Sequence, residues 1–239
     1  VIAVTGGASG VGLATANRLV AEGARVAVLD IDGEAAERVA ESLGSERAWA
    51  AQLDVSAEDQ VTRVFATVRE RFGRLDGLHN NAAILIGGTP LVDFSTESFD
   101  ALMRVNLRGA FLCLREMLRT AAAANAAGWI VNTASGTALR AAPGAGVYSA
   151  AKAALIALSR TAAIEAAPLV RVNAVVPGPL DTPMTAGASP ERQSQTIAQV
   201  PQRRIGTAEE VAALVAWLFS DEAPYVTGGL YVIDGGETA

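Results

Sequence analysis

Short runs of β-branched and aliphatic residues alternate along this chain with longer stretches whose apolar positions recur every three or four residues. The first kind predicts strands at Val1–Val4, Arg25–Asp30, Ala48–Leu53, Gly77–Asn80, Trp129–Thr133, Val170–Val175 and Leu230–Ile233. The second predicts helices between them, as where Leu13, Ala16, Leu19 and Val20 share one face. Such alternation from end to end is the pattern of a parallel sheet covered by helices on both faces. The expected architecture is therefore α/β, a single-domain doubly wound fold on a seven-stranded parallel sheet.

No Pro/Ser-rich linker, fixed-period repeat or charge block divides residues 1–239, which read as one domain. The Ala-rich run Ala121–Ala127 closes a helix before Gly128. The least regular segment is Pro177–Pro201, where prolines stand at 177, 179, 183, 190 and 201. A long irregular stretch in a compact domain reads as a lid or binding loop, set here at about 177–202, with a disordered surface excursion as the alternative.

Composition narrows the chemistry. With 25 acidic and 19 basic side chains the formal charge is −6 and the pI about 4.9, which argues against binding to a phosphate backbone. One histidine (His79) and one cysteine (Cys113) leave no intramolecular disulfide, no Cys/His zinc cluster and no Ser-His-Asp triad that omits His79. All the basic residues but Lys152 are Arg, so that position asks for something Arg does not supply. The uncharged stretch 120–139 includes Asn125, Gly128, Asn132 and Ser135, too polar for a bilayer span. The chain opens directly on strand residues, without a basic and then apolar leader, and a cytoplasmic location is the expectation, although no initiator Met is present.

Thr5-Gly6-Gly7-Ala8-Ser9-Gly10-Val11-Gly12 follows the first predicted strand and leads into the first helix. Glycines let the backbone turn sharply and approach a phosphate, and the helix start offers free N–H groups and the positive end of its dipole. Strand, turn and helix in that order suit a pyrophosphate, whereas the turn alone would be weak evidence. Asp30 ends the second strand some twenty residues on, where a carboxylate accepts from both hydroxyls of an adenosine ribose and repels a 2′-phosphate. Neither the turn nor Ile31 brings a basic residue, so the expected cofactor is NAD rather than NADP. The competing role for Asp30 is to cap the helix starting near Gly33. Asp54, with Val55 ending the third strand region, is placed to accept from an adenine amino group or to form a turn.

Tyr148 and Lys152 lie four residues apart on a predicted helix, one above the other. A cation beside a phenol favours phenolate and lowers its pKa, making Tyr an acid/base near neutral pH. With these residues the sequence resembles the short-chain dehydrogenase/reductase family over essentially its whole length. The glycine turn fits TGxxxGxG, Asn80-Asn81-Ala82-Ala83 is similar to NNAG, Tyr148-Ser-Ala-Ala-Lys152 matches YxxxK, and Pro177-Gly178 matches the PG after the sixth strand. The resemblance implies a Rossmann fold and a catalytic tetrad of Asn106, Ser135, Tyr148 and Lys152. Ser135 would hold the substrate oxygen, Tyr148 would exchange its proton, Lys152 would lower the phenol pKa and bind ribose, and Asn106, in a long helix, would hold a proton-relay water. Alone, Ser135 reads as a strand-end turn residue and Asn106 as a satisfied helix polar group.

The resemblance also implies a cofactor site of Gly6, Ser9, Gly10, Val11, Gly12, Asp30, Ile31, Asp54, Val55, Asn81, Ala82, Ala83, Tyr148, Lys152, Pro177, Gly178, Leu180 and Thr182, the last on the nicotinamide carboxamide. Ala83 departs from the family's Gly, and its methyl narrows the space near the cofactor to a tolerable degree. His79 stands where the family commonly has an aliphatic residue and reads as a buried, satisfied histidine. The segment Ala166–Arg171 looks shorter than the family's usual connection. Ser135, Thr137, Leu139, Tyr148 and Met184 are the expected substrate contacts, mostly small or apolar, with Arg140 the one cation in reach. An uncharged secondary alcohol or ketone is the expected substrate. The alternatives are an NADPH-dependent 3-oxoacyl reductase and a non-catalytic dinucleotide-binding sensor. The helix from Val147 is apolar almost all round and the one before it carries Phe111, Leu114 and Leu118, which suggests helix-mediated association; the family implies a homotetramer.

Overall fold

A computed structural model of the chain describes residues 1–187 and 189–239; Ala188, inside the 177–202 segment, lies outside them. Strands β1 (Ile2–Thr5), β2 (Val26–Asp30), β3 (Ala48–Gln52), β4 (Gly77–Asn80), β5 (Gly128–Thr133) and β6 (Val170–Pro177) come in chain order, and β9 (Leu230–Ile233) follows two short strands described below. Together these seven form one parallel sheet in the order β3-β2-β1-β4-β5-β6-β9. The predicted strands are all present with ends shifted by at most two residues, because buried aliphatic runs leave little ambiguity about what pairs.

Helices α1 (Gly10–Ala21), α2 (Gly33–Leu43), α3 (Glu58–Phe72), α4 (Thr96–Met103), α5 (Ala110–Ala124), α6 (Gly146–Glu165), α7 (Pro190–Gln199) and α8 (Ala208–Phe219) make up the covering layers. The core divides accordingly. On one face Phe65, Val68, Leu112 and Met117 of α3 and α5 cover Ala3, Leu29, Leu78 and Ile130 of the sheet; on the other, Leu19, Val211, Val215 and Leu218 of α1 and α8 cover Val4, Val28 and Val131. Inner strands buried on both faces explain why β1 reads as an uninterrupted apolar run instead of an alternating one. The Ala-rich run does end its helix: α5 stops at Ala124, and Asn125 takes the left-handed conformation (φ 46°) that a C-terminal cap needs.

Two expectations need correction. The long helix around Asn106 is not uniform, since Arg104–Gly109 is π-helical between α4 and α5. The 177–202 segment is not one loop. It contains β7 (Leu180–Asp181), which pairs in parallel with β8 (Gly206–Thr207), and α7, whose cap Ser189 accepts from the Arg192 N–H and whose first residue is Pro190. Proline at a helix start is compatible with helix, so counting prolines understated the order. No residue of α7 is buried, which is why apolar periodicity did not announce it. No helix among the described residues is long and apolar enough to cross a membrane.

Candidate active site

In a parallel sheet all strands end at the same edge, and this sheet is wound outward in both directions from β1 and β4. Ligands in such folds sit in the crevice that opens there, beyond the strand ends. The glycine turn leaves β1 at this point, and Asn81 and Ala82 leave β4 beside it. The Thr5 hydroxyl accepts from the N–H groups of Asn81 (2.9 Å) and Ala82 (3.1 Å), and the Asn81 amide donates to the carbonyls of Thr5 (3.1 Å) and Gly6 (3.3 Å). Asn81 thus braces the turn with its side chain.

Glycine is required in this turn for two reasons. Gly6 and Gly10 have φ of 63° and 50°, and a Cβ on Gly12 would sit 1.9 Å from the Gly6 carbonyl oxygen. Beyond them, α1 starts at an N-cap, Ser9, that makes no side-chain cap bond, and no acidic residue lies in its first turn. Helices α2 and α8 are closed in the usual way, by Asp32 and by a Thr207/Glu210 capping box. The N-terminus of α1 thus carries no side-chain cap, and with the glycine turn before it the residues fit a dinucleotide pyrophosphate.

Asp30 does not cap α2; that role belongs to Asp32, whose carboxylate accepts from the Ala35 N–H at 2.9 Å. The Asp30 oxygens accept from the backbone N–H groups of Ala8 (3.0 Å) and Asp32 (3.1 Å), which joins the end of β2 to the glycine turn beside exposed Ile31. Asp54 plays the turn role: its Oδ1 accepts from both the N–H and the hydroxyl of Ser56. Val55 beside it is buried against Gly109. Ala83 is partly buried at the crevice, one residue before Ile84.

Three of the four predicted catalytic residues, Ser135, Tyr148 and Lys152, converge at the end of β5 and the start of α6. Lys152 is only 2% exposed, its ammonium donates to the Thr133 carbonyl at 2.7 Å, and it lies 5.7 Å from the centroid of the Tyr148 ring. Burial pulls Lys152 down to about 8. The phenol departs from expectation: burial pushes Tyr148 up, and the Ser135 hydroxyl beside it pulls it down by less. The Lys152 ammonium donates to the Thr133 carbonyl, while the hydroxyl that pairs with the phenol is that of Ser135. Ser135 Oγ also lies 3.1 Å from Thr137 Oγ1 and accepts from the Thr137 N–H. Asn106 is buried with its amide spent on Ile84, accepting from its N–H and donating to its carbonyl, each at 2.8 Å. Its side chain fixes the segment after β4, within the π-helical turn.

Around this centre Leu139 and Met184 are both exposed, Thr137 is partly buried, and Thr182 stands over the glycine turn, its Cβ 3.6 Å from where a Gly10 Cβ would be. Gly178 is a close-approach glycine, with room for a Cβ closed at 2.6 Å by Asp234. Pro177 is buried in β6, and Leu180 pairs with Gly206. His79 is fully buried, as expected, but only half satisfied: Nε2 meets Thr133 Oγ1 at 2.9 Å and Nδ1 has no partner among the described residues, while burial and the nearby Lys152 bring its pKa down to about 3. Sequence reasoning missed the Thr133 carbonyl and Glu237. A backbone carbonyl has no residue signature, and Glu237 lies at the far end of the chain, where only the fold brings it to this edge.

A family model described as Enoyl-(Acyl carrier protein) reductase matches residues 6–238. The chain is 38% identical over 252 residues to levodione reductase of Leifsonia aquatica, covering 100% of this chain and 94% of that protein. It is 41% identical over 246 residues to 2,5-dichloro-2,5-cyclohexadiene-1,4-diol dehydrogenase of Sphingobium indicum, covering 100% and 96%. The crystal structure of 3-ketoacyl-(acyl-carrier-protein) reductase from Brucella melitensis complexed with NADH superposes with a TM-score of 0.94 at 31% identity, over 100% of this chain and 98% of that one.

Proposed function

Because the chain belongs to the short-chain dehydrogenase/reductase family and is an oxidoreductase acting on CH–OH groups, we propose that it is an NAD-dependent enzyme interconverting a secondary alcohol and a ketone, with Tyr148 as the acid/base. The observation that carries this reading is the buried Lys152 ammonium beside the Tyr148 ring, with Ser135 next to the phenol, at the strand ends that also hold the glycine turn. A nicotinamide dinucleotide, when bound, supplies the acceptor or donor of the hydride on the carbinol carbon. Gly6, Ser9, Gly10, Val11 and Gly12 would hold its pyrophosphate, Asp30 its adenosine ribose, Lys152 its second ribose and Thr182 its carboxamide.

The protein's own groups manage the proton. Ser135 donates to the substrate oxygen and keeps it beside Tyr148. Since burial raises the phenol, Tyr148 is protonated at neutral pH, the form that donates to a ketone oxygen. Alcohol oxidation needs the phenolate, so its rate climbs with pH while ketone reduction does not. Changing Tyr148→Phe lowers kcat by about 10²- to 10⁴-fold in either direction while NADH binding, followed by fluorescence, persists. A mutant that kept most of its activity would remove Tyr148 from the chemistry.

Asp30 supports NAD over NADP, since an acidic side chain with no cation beside it accepts ribose hydroxyls and repels a phosphate. A 3-oxoacyl reductase reading has the similarity to the Brucella melitensis protein in its favour, and tight NADPH with weak NADH binding would select it. The relatives named for levodione and for a cyclohexadienediol favour small cyclic, uncharged substrates. For assembly we propose a homotetramer through exposed apolar side chains such as Phe111 and Ile164 on α5 and α6; sedimentation at the monomer mass would overturn it.

A further inference from the structure

The C-terminal residues 234–239 return to the active-site edge as a built structure. Asp234 accepts from the N–H groups of Gly236 and Thr238, each at 2.8 Å, and from the Thr238 hydroxyl at 2.6 Å, closing a tight turn after β9. Gly235 and Gly236 both have positive φ (64° and 91°), and the Gly235 carbonyl accepts from the Gln202 N–H at 3.1 Å, beside the end of α7. The turn delivers Glu237 to the catalytic side: its Oε2 is 3.4 Å from where a Cβ on Gly136 would lie, against the peptide that directly follows Ser135.

Arg140, four residues beyond Gly136, fixes this carboxylate from the other side. Its guanidinium lies 3.6 Å from Glu237 Oε1 and donates to the Glu237 carbonyl and to Gln199 of α7, each at 3.4 Å. Glu237 keeps 20% of its side chain exposed, so it is neither sealed in the core nor lost to bulk water. Arg140 is thereby matched by an anion, and the group packed against the peptide that follows Ser135 is a carboxylate with lone pairs to spare.

We propose that Glu237 is a specificity-determining residue, accepting a hydrogen bond from a second hydroxyl of an uncharged substrate and repelling anionic substrates. The inference rests on the alcohol/ketone reading above and names a substrate class within it: ring alcohols carrying a further hydroxyl. A site built around a hydrogen-bond acceptor discriminates against the analogue that lacks the donor, because the acceptor is then left unpaired.

The test compares kcat/KM with NAD for cyclohexanol, cis-1,2-cyclohexanediol and 4-hydroxycyclohexanecarboxylate in the wild type and in Glu237→Gln, which keeps the shape and removes the charge. The wild type prefers the diol to cyclohexanol by roughly tenfold and disfavours the carboxylate; in E237Q the diol preference falls about tenfold and the carboxylate gains relative to cyclohexanol. Arg140→Met, which removes the cation and leaves Glu237, retains the diol preference and turns the carboxylate away more strongly. Equal wild-type use of diol and cyclohexanol, or an E237Q variant that loses all three in proportion, overturns the inference and leaves the oxidoreductase reading standing. A wild type that oxidises none of the three overturns the reading beneath it and the inference together.

Discussion

Lys152 is held buried against its own solvation, and removing it should make the protein more stable. Burial lowers Lys152 from 10.5 to about 8. At about 1.4 kcal/mol per pKa unit, that is about 3 kcal/mol by which the folded state disfavours the ammonium relative to the unfolded chain. Lys152→Met, of similar length and without charge, removes this cost and gives up the hydrogen bond to the Thr133 carbonyl, worth about 1 kcal/mol. The net expectation is a gain of about 2 kcal/mol at pH 7, seen as a Tm higher by about 4–8 °C in a chain of this size, with activity abolished. The sign of the pH dependence follows from linkage. Between about pH 8 and 10.5 the unfolded chain binds more protons at this site than the folded one, so wild-type stability rises relative to the mutant across that window. The advantage of K152M, measured by urea unfolding at a series of pH values, should be full below pH 8 and reversed by about 1 kcal/mol above 10.5, where only the lost hydrogen bond counts. A mutant less stable than wild type at pH 7, or one whose advantage does not shrink through that window, would refute the reasoning.

The remaining predictions concern the scaffold of the site. Asn132 takes a hydrogen bond from Asn80 (2.9 Å) and donates to Ser159 (2.8 Å), fully buried between β4, β5 and α6, so Asn132→Leu strands a donor of Asn80 and should cost about 2–3 kcal/mol in urea unfolding; a loss below about 0.5 kcal/mol would show the pair to be dispensable. Gly12→Ala places a methyl 1.9 Å from the Gly6 carbonyl and should weaken NADH binding at least tenfold in a fluorescence titration, an unchanged affinity counting against the turn as the pyrophosphate site. Cys113 is buried and its thiol is pushed up to about 12, so its reaction with a disulfide reagent at pH 8 should track unfolding, and a fast reaction in native buffer would contradict that burial.

How far the sequence reveals the structure depends on the range of the interaction. The seven strands of the main sheet were legible because each is a short, largely apolar run between turn signals, and in the inner strands burial on both faces admits no other reading. The glycine turn and the Tyr148/Lys152 pair were legible because their geometry is local: a bend needs glycine, and four residues make one helical turn. Helix α7 was hidden because it buries nothing, and the π-helical turn at Asn106 because i to i+5 bonding has no residue code. Spacing alone left Asp30 between cap and ribose site; the structure gives the cap to Asp32 and ties Asp30 to the N–H groups of Ala8 and Asp32.

The sequence by itself determined the fold class and the placement of the glycine turn and of the Tyr148/Lys152 pair, since both follow from near-neighbour patterns. Tertiary structure alone decided their electrostatic state and their company. Desolvation is a property of everything around a group, so no spacing of Tyr148 and Lys152 foretold that burial would raise the phenol and lower the amine. Glu237 and Arg140 stand 97 residues apart, and only the pairing of β9 with β6 at the edge of the sheet brings a C-terminal carboxylate to the peptide beside Ser135.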